Sequence, residues 1–101
     1  MSEWVYFGHP PREGFVETIT DEEAATMQRH RAHLAALFEQ GILLLAGPTF
    51  GPVNTAINVI EAADEDAARA VMESDPAISS GLMTGELRPM RVSFLHGRSQ
   101  A

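Results

Sequence analysis

Residues 20–41 read TDEEAATMQRHRAHLAALFEQG, and this stretch predicts a long amphipathic helix. Thr20 and Glu23 have the spacing of a capping box, in which each side chain satisfies a backbone N–H at the helix start. Gly41 is typical of the residue that follows a helix end. Between these ends, one stripe recurs at helical spacing: Met27, His30, Leu34, Leu37 and Phe38. His30 is therefore predicted to face the protein interior.

A second helix is predicted to begin near Asp64, whose side chain can accept from a free N–H group of the first turn. It must end by Asp75, because Pro76 disfavours helical geometry in the residue before it. The apolar stripe of this helix ends on a carboxylate: Ala68, Val71, Met72, Asp75. A carboxylate that faces the core at the C-terminal end of a helix is unfavourable unless a cation or hydrogen-bond donors meet it.

Four short apolar or β-branched runs predict strands, at residues 4–7, 42–46, 56–62 and 86–95. Gly and Pro within residues 47–52 mark the turn between the second and third strands. Pro89 cannot donate to a strand ladder, so the fourth strand should lie at an edge or carry a bulge. The order βαββαβ is the ferredoxin-like arrangement, an α+β fold whose four-stranded antiparallel sheet carries both helices on one face.

The other face of this sheet also needs a cover. Side chains alternate along a strand, so two helices on one side cannot bury all of the apolar strand residues, which include Val5, Phe7, Val59 and Val92. A second copy of the chain is the simplest cover for that face. The sequence therefore predicts a homodimer or a higher homo-oligomer.

Length and composition narrow the class of protein. The 101 residues fit a single domain, 1–101, with residues 96–101 as a flexible tail. The net charge of -7, with only seven arginines and no lysine against it, argues against binding to nucleic acid. The absence of cysteine excludes disulfides and thiolate chemistry. No secretory signal is evident and no apolar run approaches about 18 residues, so we expect no membrane insertion and a cytoplasmic protein.

His30 and Asp75 are the candidate catalytic residues. Both stripes face the same side of one sheet, so the ring and the carboxylate should lie within about 2.6–3.2 Å or be bridged by one water. Asp75 would orient the imidazole, whose free nitrogen would move a proton at a carbon next to a carbonyl. The alternative is structural: a core histidine bonded to a backbone carbonyl, and an aspartate that bonds local N–H groups of a turn.

Four other residues are candidate substrate contacts: His9 in the loop after the first strand, Thr49 and Phe50 between the Gly-Pro turns, and Arg88. The alternatives are a solvated His9 and an Arg88 that pairs with Glu86 on the solvent face. No metal site is predicted, since His30 and His33 point in different directions and no third ligand is evident. A small-molecule ligand is expected, and no cofactor.

These landmarks resemble the YCII-related family of dimeric α+β barrel proteins over nearly the whole chain. The residues that carry the resemblance are TDEE at 20–23, His30, Gly41, AGP at 46–48, EAAD at 61–64, Asp75-Pro76, Gly81-Leu82, Glu86-Leu87 and Pro89. The resemblance implies that His30 and Asp75 form an active-site pair. The family is similar in fold to muconolactone isomerase and to heme-free monooxygenases of polyketide tailoring, and one relative is a dehalogenating lyase on a chlorinated aromatic.

Two function classes follow from the resemblance and the residues together. The first is a small cofactor-independent lyase or isomerase that transfers a proton or eliminates HX on a small organic acid or ring compound. The second is a non-catalytic small-molecule binding or interaction module of the same fold. Because one fold serves many reactions, the resemblance alone does not choose between them.

Overall fold

The computed structural model describes residues 1–98 and contains the predicted elements together with two one-turn helices. The strands are β1 (Ser2–His9), β2 (Leu43–Pro48), β3 (Ala56–Ala62) and β4 (Thr84–Met90). The long helices are α2 (Asp21–Glu39) and α3 (Glu65–Ser74). The short ones are α1 (Phe15–Thr18) and α4 (Pro76–Ser79), which the sequence patterns did not predict.

The four strands form one antiparallel sheet in the order β2-β3-β1-β4. The central strands β1 and β3 pair so that Tyr6 lies opposite Asn58 and Val5 opposite Val59. Strand β4 is an edge strand, as Pro89 requires, and it pairs with β1. The α+β, ferredoxin-like fold predicted from the sequence is thus confirmed.

The predicted helix ends are formed by their capping residues. The Thr20 side chain accepts from the Glu23 amide, and the Glu23 carboxylate accepts from the Thr20 amide, which completes the capping box. Asp64 caps α3 by accepting from the amide of Ala67 at 2.9 Å. Gly41 has a φ of 76°, a left-handed conformation that glycine adopts without steric cost.

The main core lies between the helices and one face of the sheet. Its buried members come from strands β1, β2 and β3 and from both long helices: Trp4, Tyr6, Leu37, Leu43, Ile60, Ala62, Ala68 and Met72. The prediction that Phe38 joins this core was wrong, since its side chain is 64% exposed. The buried residues of α2 are Thr26, His30 and Leu37, and Phe38 is about a quarter turn from the middle of that arc.

The predicted bounds of β4, residues 86–95, were wrong at both ends. The strand begins at Thr84, which pairs with His9, and ends at Met90, which pairs with Glu3. Strand β1 supplies the only ladder for β4 within residues 1–98, and it begins at Ser2, one residue before Glu3, so β1 offers no partner to any residue beyond Arg91. Strand β2 is shifted toward its C-terminus relative to the predicted residues 42–46, because Gly47 and Pro48 continue to pair with β3.

The sheet face opposite the helices is apolar, as the strand alternation predicts. Val5, Phe7, Ile57, Val59 and Met90 line a shallow depression on this face. In the predicted tail, Arg98 donates to Glu61 at 2.9 Å, and residues 99–101 lie outside the described residues. No helix within residues 1–98 is long and apolar enough to cross a membrane.

Candidate active site

The predicted contact between His30 and Asp75 is confirmed. The Nδ1 atom of His30 lies 2.7 Å from Oδ1 and 2.9 Å from Oδ2 of Asp75. His30 is buried on the inner face of α2, and Asp75 has no exposed surface. Since the two residues are 45 positions apart in the chain, the folding of α2 and α3 onto the same sheet face creates the pair.

Asp75 reaches this position because the chain breaks between two helices. Helix α3 ends at Ser74, and Asp75 adopts an extended conformation before Pro76 begins α4. The side chain of Asp75 accepts from the Ala77 amide at 2.9 Å and so caps α4. The local turn contact expected under the structural alternative is therefore present together with the contact to His30.

Tyr6 is a third member of this cluster. Its hydroxyl donates to Oδ2 of Asp75 at 2.7 Å, and the side chain is completely buried. The sequence reasoning missed Tyr6, although strand alternation places it with Trp4 on the helix-facing side, opposite to Val5 and Phe7. Burial raises the pKa of Tyr6, and the Asp75 carboxylate raises it further, so the hydroxyl keeps its proton and serves as a donor.

The charge on Asp75 determines which nitrogen of His30 is free. Burial acts to raise the pKa of Asp75, but hydrogen bonds from His30 and Tyr6 outweigh it and hold the pKa below its ordinary value. Asp75 is therefore an ionised acceptor, and Nδ1 of His30 must donate to it. The Nε2 atom makes no hydrogen bond within residues 1–98 and is left available to a bound molecule.

His30 lines a cavity of about 350 Å³ between α2 and the β2–β3 side of the sheet. Most of the lining is apolar and includes Phe15, Val16, Met27, Leu34, Ala56 and Met83. Polar groups are few: His30, Asn54, Asn58 and Arg31. An apolar pocket with a small number of polar groups is typical of a small-molecule site, and this volume is at the lower end of the usual range of about 300–1,000 Å³.

The unpredicted helix α1 closes one side of the cavity with Phe15 and Val16. Arg12 anchors α1 to the start of α2, since its guanidinium donates to both carboxylate oxygens of Glu23 and to the Thr18 carbonyl. The same guanidinium lies 5.4 Å from the centre of the Phe15 ring. This wall was missed because one turn of helix is too short to show a hydrophobic period.

The four predicted substrate contacts lie outside this cavity. His9 bonds Glu86 at 2.8 Å on the opposite sheet face, and Arg88 lines the shallow depression there. Phe50 is 78% exposed, and the Thr49 hydroxyl donates to the Thr55 carbonyl in the β2–β3 loop. The structure does not bring these four residues to His30, and their role in binding stays a prediction.

Two buried asparagines on the cavity wall were also missed. Asn54 accepts from the Val16 amide and donates to the Thr49 carbonyl, which ties α1 to the β2–β3 loop. Asn58 stands among apolar residues on the helix-facing side of β3, and a polar residue in that strand position was the available signal. Within residues 1–98, no cluster of three or more His, Asp or Glu side chains could hold a metal ion.

Acid should destabilise the protein through two of these carboxyls. The pKa of Asp75 is lowered, and hydrogen bonds from Arg12 lower the pKa of Glu23 to about 2. Unfolded carboxyls titrate near pH 4, so the stability that these two ionised carboxylates contribute is complete above about pH 5. It is lost as the pH falls through the lower folded-state values. We expect the urea midpoint to fall steadily between about pH 5 and pH 2.

A substitution at Glu23 separates its contribution to this pH dependence from that of Asp75. Glu23→Gln can keep the capping box but loses the charge that faces Arg12, so the fall in urea midpoint below about pH 5 should be shallower. Glu22→Gln, exposed in the same helical turn, is the matched control and should retain the original slope. A slope that is the same in all three proteins would contradict this assignment.

Comparisons with known proteins agree with this fold. A sequence profile of the YCII-related domain matches residues 6–91. Curated proteins give no significant match. Among solved structures, the chain is similar to 5-chloro-2-hydroxyhydroquinone dehydrochlorinase from Burkholderia phenoliruptrix, in complex with 2,5-dihydroxybenzoquinone, with a TM-score of 0.61 and 21% identity. The likeness covers 90% of this chain and 94% of that chain, and at this identity it shows a shared fold.

Proposed function

Because this chain belongs to the YCII-related family, we propose that it is an enzyme that transfers a proton on a small organic molecule bound beside His30. The observation that carries the proposal is the buried contact of 2.7 Å between the Asp75 carboxylate and Nδ1 of His30. This contact leaves Nε2 as the basic nitrogen at the wall of a mostly apolar cavity. A base oriented by a carboxylate beside an apolar pocket suits general acid–base chemistry.

The proposed reaction is elimination of HX or the related isomerisation. In elimination, Nε2 of His30 accepts a proton from a C–H or O–H group conjugated with, or next to, a saturated carbon that carries the halide; a chlorinated phenol presents such a carbon in its keto tautomer. The electron pair of that bond becomes part of a new double bond, and the bond to the halide breaks with both electrons. The products are the dehydrohalogenated molecule, a halide ion and a proton that passes from imidazolium to water. In isomerisation, His30 returns the same proton to a different carbon.

Asp75 and Tyr6 support this chemistry without reacting themselves. The carboxylate stabilises the imidazolium that forms when Nε2 takes up a proton, since it lies within hydrogen-bond distance of Nδ1. Tyr6 and the Ala77 amide hold the two carboxylate oxygens from other directions. The base is thus fixed before the substrate arrives, which reduces the reorganisation needed during the reaction.

Chloride release is the direct test. One solved structure with which this chain shares its fold is named a dehydrochlorinase, so 5-chloro-2-hydroxyhydroquinone is the first substrate to try. In parallel, exchange of acidic C–H protons of small cyclic ketones in D₂O, followed by NMR, reports proton transfer without a leaving group. We expect catalysis above the buffer rate in at least one assay. Rates of chloride release and of proton exchange no higher than those in buffer alone would contradict the proposal.

The same cluster also favours the second candidate, a binding module in which His30 and Asp75 only stabilise the fold. Its support is the additional contact of Asp75 with the Ala77 amide, by which the carboxylate caps α4. Such a module would bind small molecules in the cavity and leave them unchanged. The two candidates predict different effects of replacing His30, on stability in one case and on turnover in the other.

We propose further that the working form is a homodimer or larger, with the apolar sheet face as the contact between copies. Phe7→Arg places a charge in that face beside Glu86, its neighbour across the strands, so the single chain should still fold. Sedimentation velocity at micromolar concentration should show a dimer or larger for the unchanged protein and a monomer for Phe7→Arg. Phe50→Arg, at an exposed loop residue, is the control and should not dissociate it. A monomeric unchanged protein would contradict the proposal.

A further inference from the structure

We infer that the molecule bound in the His30 cavity carries a hydroxyl group that donates a hydrogen bond to Asn58, and that Asn58 selects substrates by this group. The inference rests on the proposed function and specifies its substrate class. Asn58 lies on β3, is 1% exposed and lines the same cavity as His30. Its Oδ1 atom is buried and has no hydrogen-bond partner within residues 1–98.

The orientation of the Asn58 amide follows from its neighbour. The Nδ2 atom lies 3.2 Å from the backbone carbonyl oxygen of Tyr6, directly across the two strands. A carbonyl oxygen only accepts hydrogen bonds, so the nitrogen of the amide must face it. The oxygen of the amide is then the acceptor that remains without a donor.

Buried polar atoms in proteins are nearly always paired, so an unpaired acceptor calls for a physical explanation. The other unpaired buried side-chain atom within residues 1–98, Nε1 of Trp4, belongs to a residue that does not line the cavity. Asn58 differs because the residue lines the cavity, where a small rotation of its side chain on ligand binding would bring Oδ1 to the cavity surface. A donor on that ligand would satisfy Oδ1 at the moment of binding.

The placement of Asn58 and His30 determines the substrate class. Asn58 contributes from the sheet and His30 from α2, so a molecule that spans the cavity meets both side chains. The remaining lining is largely apolar, which favours a ring or a short hydrocarbon skeleton between the two polar groups. An alcohol, phenol or enol supplies the donor that Oδ1 lacks. A substrate carboxylate at that position would be unfavourable, because its oxygens and Oδ1 of Asn58 all accept hydrogen bonds and none donates.

The test compares phenol with toluene, two probes of similar shape that differ in the donor. Dissociation constants are measured by NMR titration of the unchanged protein and of Asn58→Leu, with the His30 ring signals reporting occupancy of the cavity. We expect the preference for phenol over toluene to fall about tenfold or more in Asn58→Leu, because the replacement removes the acceptor and keeps the volume. Should Asn58→Leu fail to fold, Asn58→Val, whose branched side chain suits a strand, gives the same comparison.

The outcomes separate this inference from the proposed function. An unchanged preference for phenol in the Asn58 variant overturns the hydroxyl inference and leaves the role of His30 intact. If neither probe shifts the His30 signals at millimolar concentration, the cavity is not a ligand site, and both the inference and the proposed function fall. A preference that disappears together with Asn58 supports the inference, whatever reaction follows.

Discussion

His30→Gln is expected to lower kcat/KM for proton exchange or chloride release by about 10²–10⁴-fold, the usual contribution of a general base. Glutamine retains an amide that can donate to Asp75, so the urea midpoint should change little. His33→Gln, on the next turn of α2, is the matched control, since His33 does not line the cavity and its one side-chain hydrogen bond within residues 1–98 is to Ser74. The control variant should keep full activity.

The two candidate functions diverge on this variant. An enzyme loses turnover and keeps its fold, whereas a purely structural pair loses only stability, and only as far as the glutamine amide fails to replace the imidazole. A His30→Gln protein that turns over substrate at the original rate but unfolds at distinctly lower urea concentration would therefore contradict a catalytic His30. Measuring both quantities on the same preparation excludes the trivial case in which activity falls because the protein has unfolded.

Asp75→Ala is expected to cost about 3–5 kcal/mol in the free energy of unfolding, because each buried donor left without an acceptor costs about 1–3 kcal/mol. The substitution leaves three buried donors without an acceptor: His30 Nδ1, the Tyr6 hydroxyl and the Ala77 amide. Urea unfolding at neutral pH measures the loss. Each donor is buried in the folded protein, so it cannot form a hydrogen bond to water in place of the one it loses to Asp75.

The control for Asp75 is Asp64→Ala. Asp64 is exposed and caps α3 through one hydrogen bond to the Ala67 amide, so its removal should cost about 1 kcal/mol. Both variants remove one acidic side chain at a helix start, and they differ in burial and in the number of donors served. Equal losses in the two variants would show that the cluster around Asp75 adds no stability beyond an ordinary helix cap.

The sequence predicted the elements whose signals are local and repeated. The caps at Thr20 and Asp64 and the helical stripe through His30 depend on spacings of three or four residues, which can be read without knowing the fold. The strand at Ala56–Ala62 was predicted with its observed bounds because turns flank it on both sides. The contact between His30 and Asp75 followed because both stripes had to face one sheet.

The errors arose where pairing across the chain decides the structure. The end of β4 depends on where β1 begins, and no feature near Leu95 indicates this. Tyr6 and Asn58 were missed because their importance comes from partners 69 and 52 residues away. The four predicted substrate contacts, by contrast, were chosen for their position in loops and at strand ends, a criterion that does not determine which sheet face or cavity a side chain joins.

The Asp75 carboxylate accepts hydrogen bonds from three parts of the fold, so the site can form only when the chain folds. The Asp75 side chain that accepts from His30 also caps α4 and accepts from the Tyr6 hydroxyl on β1. The imidazole therefore acquires its orientation only when helix α2, the turn before α4 and the sheet are all in place. Chains in a small two-state domain are either fully folded or unfolded. A partly denatured sample should therefore be a mixture of fully competent and wholly incompetent molecules, and its specific activity should follow the folded fraction throughout the transition.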